Sequence, residues 1–364
     1  MTGGSICGVP TADLRRLAGA IEVVKLSADR DAAVERFVEG HAQALLYHSL
    51  RFRDFLVDLL GCQPLYGVAI ASDEVVGVMP VMSAAGPYGR VLNSLPFFGS
   101  NGGILAKSPT ACAALATWYD GQAASDGVAA STVVGNPLDP DGISFVHDFV
   151  DARVGCMTPL AGDGDPGARL LSLIDGSARR NVAKADRCGV TVEVDNDAFG
   201  VLADFHRAGM EAIGGRVKTP AFFEAVPRCF RAGVDYDLYV ARLGDEVVAT
   251  LLVFFYGAVA EYYMPATAPE SRSEQPMAAV LQRAMVDAMD RGFAWWNWGG
   301  SWVTQENLIR FKTKWGGQPR EYRYWTQVND DNLLSAQSHA LLEGYPGFFV
   351  APFSSLRPGQ ESAG

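Results

Sequence analysis

Apolar and polar positions follow the same order in two separate parts of the chain. Residues 64–82 read PLYGVAIASDEVVGVMPVM, and residues 237–255 read DLYVARLGDEVVATLLVFF. Both segments contain Leu-Tyr, an apolar run, the motif Asp-Glu-Val-Val and a second apolar run. Two apolar runs that flank a short polar turn are typical of a β-hairpin. The pattern therefore predicts one hairpin in each half of the chain.

The elements that follow the two hairpins also match. In each half the sequence predicts a third strand, an irregular loop, a helix and a last strand. The third strand, the helix and the last strand begin near Arg90, Ser108 and Ala130 in the first half. In the second half they begin near Ala258, Glu274 and Phe293. Each helix has proline near its first turn and glycine after its end, as helix boundaries commonly do. We therefore predict an α/β protein built from two copies of one β-β-β-α-β unit.

The length of 364 residues also favours two domains over a single core. Helical sequence precedes each copy, and the Gly/Pro/Asp-rich residues 155–168 are typical of a linker. We predict a first domain over residues 1–160, completed by residues 326–353. A second domain spans residues 161–325, and residues 354–364 form a disordered tail.

Composition and charge exclude several classes of protein. The net charge of −11 argues against broad nucleic-acid binding, although not against a local basic groove. The cysteines are scattered without a C-x-x-C pair, which predicts free thiols, and no Cys/His cluster suggests a metal. The longest apolar run, residues 247–260, is too short to span a bilayer. We expect a cytoplasmic protein without an integral membrane span and without a bound cofactor.

Three stretches of the second half resemble one family. They are ARRNVAKADRCGVTVEV from Ala178, PMAAVLQRAMVDAMDRGFAWWNWGG from Pro276 and RFKTKWGG from Arg310. These stretches are similar to motifs of the Fem family, the aminoacyl-tRNA-dependent transferases that build peptidoglycan cross-bridges. The resemblance covers roughly residues 165–325 in sequence and the first half in architecture only. It implies tandem GNAT-like acyltransferase domains, each with a mixed, mostly antiparallel sheet flanked by helices.

The resemblance also implies roles for individual residues. It gives Lys312 the task of stabilising the oxyanion that develops in acyl transfer, with Phe311 packed near the tRNA end. It places Arg216 at an acceptor phosphate, which suits a planar guanidinium, and Tyr263 in the site, with Tyr262 as the competing choice. The alternatives are a solvated lysine on an amphipathic helix, a loop cation and a core aromatic residue.

Three further groups of residues remain open between binding and structure. The basic helical run that includes Arg179 and Arg180 could contact an RNA backbone or form a solvated face. Trp298 could stack on a terminal adenine or pack in the core. Gly102, Gly103 and Lys107 precede a predicted helix and could hold a phosphate or sugar, or form an ordinary turn. The matching loop before Pro276 contains no glycine, which weakens a coenzyme A site.

The sequence thus favours a Fem-like transferase that forms an amide bond. Its donor would be aminoacyl-tRNA, and its acceptor an amine of a cell-wall precursor or a small, phosphate-bearing metabolite. The first alternative is an N-acyltransferase of the same fold that uses acyl-CoA. The second alternative is a non-catalytic assembly protein. The sequence identifies no general base.

Overall fold

The computed structural model describes residues 21–95, 97, 101–139 and 142–357. The chain divides into two compact units. Unit 1 contains the residues up to Arg153 and those from Glu321 onwards, and unit 2 is Val154–Arg320. Residues 358–364 of the tail predicted to be disordered lie outside the described part of the chain.

The strands and helices alternate along both units. The strands are β1 (Glu22–Lys25), β2 (Gln63–Pro64), β3 (Gly67–Ala71), β4 (Glu74–Met79), β5 (Met82–Gly86), β6 (Gly89–Asn93), β7 (Leu105–Ala106), β8 (Val128–Val134), β9 (Phe149–Pro159), β10 (Val190–Val194), β11 (Tyr236–Leu243), β12 (Glu246–Tyr256), β13 (Val259–Thr267), β14 (Trp295–Trp302) and β15 (Gln318–Val328). The α-helices are α1 (Asp31–Glu39), α2 (Leu50–Leu60), α3 (Pro109–Ala123), α4 (Pro166–Leu173), α5 (Gly176–Arg187), α6 (Phe199–Glu211), α7 (Pro220–Cys229), α8 (Pro276–Asp290), α9 (Glu306–Lys314) and α10 (Ser338–Gly344).

Unit 2 contains an uninterrupted version of the repeated motif. Its strands lie in the order β10-β11-β12-β13-β14, antiparallel up to β13 and parallel between β13 and β14. Leu251 and Trp296 bury one face of this sheet against Leu281 of α8. On the other face, Phe254 contacts Tyr263, which stacks on Phe222 of α7. The apolar run that the sequence could not place in a membrane is the hairpin of β12 and β13.

Unit 1 has the same connectivity, but two of its strands are broken. The antiparallel pairs β3–β4, β4–β7 and β5–β6 and the parallel pair β6–β8 correspond to the pairs of unit 2. The second strand stops between β4 and β5 at Pro80, which has no N–H to donate to a ladder. The third strand, predicted over residues 90–98, ends at Asn93, and residue 98 lies outside the described residues. The predicted duplication of one α/β unit is confirmed. The prediction that these two strands are continuous was wrong.

Local sequence explains how the helices of unit 1 begin. Pro109 occupies the first turn of α3, and the Ser108 hydroxyl accepts a hydrogen bond from the Ala111 amide. Residues 31–61 read as continuous helical sequence, yet the chain leaves the helix after Glu39. A new helix begins only where Ser49 caps α2. Serine therefore marks the starts of α2 and α3.

The predicted linker is mostly regular structure. Residues up to Pro159 belong to β9, and α4 begins at Pro166. Only residues 160–165 lie outside a strand or helix. Among the described residues, no helix is both long and apolar enough to cross a membrane.

Candidate active site

Lys312 is a buried cation on the C-terminal turn of α9. The residue is only 3% exposed. The ammonium group donates to the Gly299 carbonyl at 3.0 Å, to the Ser301 hydroxyl at 2.8 Å and to the Gly300 carbonyl at 3.4 Å. All three acceptors belong to the last residues of β14. The predicted catalytic lysine is therefore not on a solvated helix face, and it ties α9 to β14.

The environment of this ammonium group sets its charge and its capacity to donate a further hydrogen bond. Burial lowers the pKa of Lys312 to about 8, while the nearby Cys156 thiol acts in the opposite direction. The group is thus largely protonated at neutral pH. The contact to Gly300 is long for an N–H···O hydrogen bond, whereas the other two are of normal length. One of the three protons is therefore only weakly held within unit 2.

A buried polar chain fixes the segment that holds Lys312. Glu261 of β13 and Asn297 of β14 are paired across the parallel ladder, and the Asn297 amide donates to the Glu261 carboxylate at 3.1 Å. The Asn297 side-chain carbonyl accepts from the Gly299 amide at 2.9 Å. Gly299 has a φ of 68°, in the left-handed region that favours glycine. The Gly299 peptide is thus held from both sides, by Asn297 and by Lys312.

Sequence reasoning did not identify Glu261 and Asn297. Glu261 stands alone among apolar residues of a strand, and Asn297 stands between two tryptophans. An acidic residue in an otherwise apolar strand is rarely buried without a partner. That single Glu in AVAEYYMPA was the signal that could have indicated this pair.

The aromatic residues next to Lys312 form part of the core. Trp298 is 2% exposed, and its indole N–H donates to the Thr158 hydroxyl at 2.9 Å. Its ring contacts Phe311 and Trp315 at centroid distances of 5.9 and 6.5 Å. The structure thus brings Phe311 and Trp298 together beside Lys312. The arrangement favours core packing over adenine stacking for Trp298.

Tyr263 lies on the other face of the sheet of unit 2. Tyr263 is the extra residue of a β-bulge in β13, where the register with β12 shifts. Its ring packs between Phe222 and Phe254, and burial raises the pKa of its hydroxyl. Tyr262 points instead toward Trp298, at 5.0 Å. Arg216 is exposed in the loop between α6 and α7.

The basic run of α5 is exposed, but one member has a structural partner. The Arg179 guanidinium donates to the carbonyls of Leu171 and Ile174 at 2.8 and 3.0 Å, at the end of α4. Cations at helix C-termini are stabilised by the unpaired carbonyls there. Arg180 is also exposed. Both readings of this run, RNA contact and solvated face, remain compatible with these positions.

Gly102, Gly103 and Lys107 lie in unit 1. The Gly102 amide donates to the Gly135 carbonyl at 3.3 Å, and Gly103 has a φ of 92°. The exposed Lys107 ammonium lies 3.8 Å from the Glu74 carboxylate. Because the Gly102 amide already has an acceptor, the turn interpretation gains support over the phosphate cradle at that residue.

An open cavity of about 440 Å³ lies in unit 2 beside the start of α8. It is lined by residues of α6 and the turn after it, of β13 from Tyr262 onwards, of the loop before α8 and of the first turn of α8. These include Phe205, His206, Met210, Ile213, Tyr262, Arg272, Gln275 and Met277. The lining is mostly apolar, with a histidine, an arginine and a glutamine among it. Such a composition suits a small organic ligand or a terminal group of a larger one.

The loop between β13 and α8 has no free amide cradle. Residues Pro269–Glu274 form a 3₁₀ helix, in which the Ser271 and Gln275 amides donate to carbonyls of the same turn. Gln275 then adopts the left-handed conformation, and Pro276 begins α8 without an N–H. Backbone amides at a helix N-terminus bind phosphate only if they point outward unpaired. This turn offers few of them.

Comparison with known proteins agrees with this architecture. Residues 176–312 match the acetyltransferase (GNAT) domain family. Among solved structures, FemX superposes with a TM-score of 0.64 at 15% identity, covering 86% of this chain and 98% of FemX. No curated protein sequence matches the chain.

Two further solved structures have the same fold. A conserved protein of unknown function from Bacteroides thetaiotaomicron gives a TM-score of 0.53 at 9% identity, over 85% of this chain and all of that one. The C-terminal domain of a putative lysylphosphatidylglycerol synthetase from Agrobacterium fabrum gives 0.51 at 11% identity, over 94% of this chain and all of that one.

These matches indicate the class of fold to which the chain is similar. Residues 176–312, which belong to unit 2, are similar to a GNAT acetyltransferase domain. Over most of its length the chain has the fold of FemX.

Proposed function

We propose that the protein transfers an aminoacyl group from aminoacyl-tRNA to an amine and forms an amide. The acceptor would be a cell-wall precursor or a small biosynthetic metabolite. The FemX-like fold supports aminoacyl transfer as the reaction class. The turn before α8 is the basis for choosing the donor, and Lys312 is the proposed catalytic residue.

The donor is argued from the turn Pro269–Glu274. A coenzyme A pyrophosphate needs several outward-pointing amides at the start of α8. Two amides of this turn are used internally, and Pro276 has none. The turn also carries Glu274, whose pKa is lowered by the Ser273 hydroxyl, so that it is ionised at neutral pH. A carboxylate at this place would repel a pyrophosphate.

The reaction needs little beyond positioning and charge stabilisation. The amine nitrogen attacks the ester carbonyl, and negative charge develops on the carbonyl oxygen. The ester C–O bond then breaks, and the ribose oxygen leaves with the electron pair and takes up the proton that the attacking nitrogen loses. The Lys312 proton that is only weakly bonded to Gly300 can turn to this oxygen. Donors aimed at such an oxyanion act mainly in the transition state.

The net charge of −11 leaves RNA binding to local basic surfaces. The exposed face of α5 offers Arg180 and Lys184 beside the partly engaged Arg179. A few phosphate contacts of this kind provide affinity that falls steeply with salt. We therefore propose that aminoacyl-tRNA binds along α5, weakly and in a salt-dependent way.

The alternative donor is acyl-CoA. The match of residues 176–312 to an acetyltransferase domain favours it, since that description names acetyl transfer. The cavity beside α8 is large enough for part of a pantetheine arm. This alternative shares the amide-forming chemistry and differs in the donor.

Binding separates the two donors without any knowledge of the acceptor. Purified protein would be heated with millimolar acetyl-CoA, with aminoacyl-tRNA and with the same tRNA after deacylation. We expect the aminoacyl-tRNA to raise the melting temperature and acetyl-CoA to leave it unchanged. A rise of several degrees with acetyl-CoA, abolished by substitutions in residues 270–277, would favour the alternative.

A further inference from the structure

The cavity of about 440 Å³ beside α8 lies where two strands of unit 2 separate. In the described chain, the parallel ladder of β13 and β14 ends at the pair Glu261 and Asn297. Both strands continue beyond this pair. Tyr262, which follows Glu261, lines the cavity, as do residues 265–267. The cavity therefore lies along the part of β13 that no longer pairs with β14.

The cavity reaches the segment that holds Lys312. The Tyr262 ring lies 5.0 Å from the Trp298 ring. Trp298 precedes Gly299, whose carbonyl accepts a hydrogen bond from the Lys312 ammonium group at 3.0 Å. Tyr262 also packs against the same core cluster as Phe311, the neighbour of Lys312. An acyl group whose carbonyl lies at Lys312 can therefore extend past Tyr262 into the cavity.

The walls of the cavity are largely apolar. Phe205, Met210 and Ile213 line it from α6 and the turn after it, and Tyr262 and Met277 line it from β13 and α8. Such walls gain most from an apolar ligand group, because water then leaves both surfaces. The volume lies within the range of small-molecule sites, roughly 300–1,000 Å³. The cavity thus suits an aromatic or branched aliphatic group.

The polar groups of the cavity disfavour a cationic ligand group. Arg272 contributes a guanidinium, and the described residues of the lining include no carboxylate. His206 is neutral at pH 7, because burial and then the charge of Lys218 lower its pKa. Glu274 accepts a hydrogen bond from the Ser273 hydroxyl at 2.6 Å and lies outside the lining. A cationic side chain would thus lose hydration here without gaining an acidic partner.

Gly209 keeps part of this space open. It lies within α6 and lines the cavity, and a Cβ atom added there would meet no heavy atom within 4 Å. Glycine is unfavourable inside a helix, and neither crowding nor a left-handed backbone requires it at this position. A side chain in place of Gly209 would therefore occupy open space.

We propose that this cavity receives the side chain of the transferred aminoacyl group, admits neutral apolar side chains of the size of leucine or phenylalanine, and excludes lysyl and arginyl groups. This inference rests on the proposed function and names the class of amino acid that it uses. The carbonyl of the group lies at Lys312, and its side chain passes Tyr262 between the separated strands. Gly209 sets the size of the admitted side chain, and Arg272 sets its charge.

The first test charges one RNA minihelix with leucine, phenylalanine, alanine or lysine and measures single-turnover transfer to one amine acceptor. Using a single RNA removes differences between tRNA bodies. A missing methylene in an apolar pocket typically lowers the rate by about 10–200-fold. We expect leucyl and phenylalanyl transfer to exceed alanyl transfer by about 10-fold or more, and lysyl transfer to be slower still.

Gly209→Leu tests the size of the cavity. It should lower leucyl and phenylalanyl transfer by about 10-fold or more and leave alanyl transfer nearly unchanged. Gly200→Leu is the matched control, because Gly200 is an exposed residue of the same helix outside the lining. A Cβ atom added at Gly200 also meets no heavy atom within 4 Å. Leucine is the better helix former, so both variants should keep the melting temperature of the parent.

Ile213→Glu tests the charge preference without filling the cavity. Ile213 lines the cavity and is 73% exposed, so a glutamate there can be hydrated. The variant should raise lysyl transfer relative to leucyl transfer by about 10-fold or more, because the carboxylate supplies the missing partner. Val234→Glu is the matched control, since Val234 is 52% exposed in the same unit and lies outside the lining.

A second measurement needs no catalysis. The same minihelix, carrying its amino acid through a stable amide in place of the ester, would be titrated into each variant by fluorescence anisotropy. In the parent we expect the leucyl form to bind about 10-fold more tightly than the lysyl form or the uncharged RNA. Gly209→Leu should abolish this preference and leave the affinity for uncharged RNA unchanged.

The outcomes separate this inference from the proposed function. Similar transfer rates for all four amino acids, unchanged by Gly209→Leu, would overturn the inference and leave the proposed function standing. A parental preference for lysyl groups would do the same. If Gly209→Leu weakens charged and uncharged RNA equally, the cavity holds the terminal nucleotide and the inference is overturned. If no charged minihelix reacts or binds, the proposed function is rejected and this role with it.

Discussion

Replacing Lys312 by methionine tests whether its charge acts in catalysis or only in folding. Methionine keeps an unbranched side chain of similar length in the site and removes the ammonium group. The close partners that lose a donor are the Gly299 carbonyl and the Ser301 hydroxyl, at 3.0 and 2.8 Å. The perturbation is therefore local to the junction of α9 and β14.

The effect on stability follows from two opposing contributions. The buried ammonium carries a desolvation cost, since its pKa falls from 10.5 to about 8; at about 1.4 kcal/mol per pH unit this is about 3 kcal/mol. Leaving two buried acceptors without a donor costs about 1–3 kcal/mol each. The two contributions nearly cancel, so Lys312→Met should stay folded, within about 3 kcal/mol of the parent.

The same substitution should also lower turnover. Removal of one oxyanion donor typically costs about 10²–10³-fold in turnover. Lys312→Met should show this loss with little change in donor KM. Lys312→Arg should not recover it, because the larger guanidinium overpacks a residue that is 3% exposed.

The assay is single-turnover transfer from a charged tRNA or minihelix, with urea denaturation of each variant. Lys314→Met is the matched control, two positions along the same helix and only half-buried. It should at most raise the donor KM and its salt sensitivity. A folded Lys312→Met variant that transfers at the parental rate would refute the catalytic role and leave Lys312 as the tie between α9 and β14.

Three further predictions concern buried side chains. Burial lowers the pKa of His48 to about 3, so the unfolded chain binds a proton below about pH 6.5 that the folded chain does not. Urea denaturation between pH 6 and 4 should show stability falling by about 1.4 kcal/mol per pH unit more steeply in the parent than in His48→Gln; equal slopes would contradict this. Trp298→Phe should lower stability by about 1–3 kcal/mol through lost packing and the lost bond to Thr158, and leave the donor KM unchanged; a raised KM with unchanged melting would instead indicate adenine stacking. Tyr345→Phe should cost about 1–3 kcal/mol, because the Tyr88 amide loses its acceptor at 2.9 Å; an unchanged denaturation midpoint would contradict this.

Local pattern was sufficient for the order of elements in both halves. The apolar runs around Asp-Glu-Val-Val and the prolines at the starts of α3 and α8 are short-range signals. They favour the same local structure in both halves of the chain. Pro80 was visible too, yet its effect was missed because the apolar pattern continues across it. A proline within a strand pattern should have predicted the break between β4 and β5.

The candidate site depended on contacts that the sequence does not display. Lys312 reads as a surface lysine on an amphipathic helix, and only the carbonyls at the end of β14 make it a buried cation. Glu261 and Asn297 meet only because β13 and β14 are neighbours in the sheet, which the sequence does not display.

The most direct test of the central claim offers the purified protein both donors under the same conditions. The acceptors would be a set of primary amines that includes phosphate-bearing cell-wall precursors, and the product would be detected as a new amide by mass spectrometry. The account predicts amide formation from aminoacyl-tRNA and none from acetyl-CoA at millimolar concentration. Amide formation from acetyl-CoA, with aminoacyl-tRNA inert across the same acceptors, would contradict it.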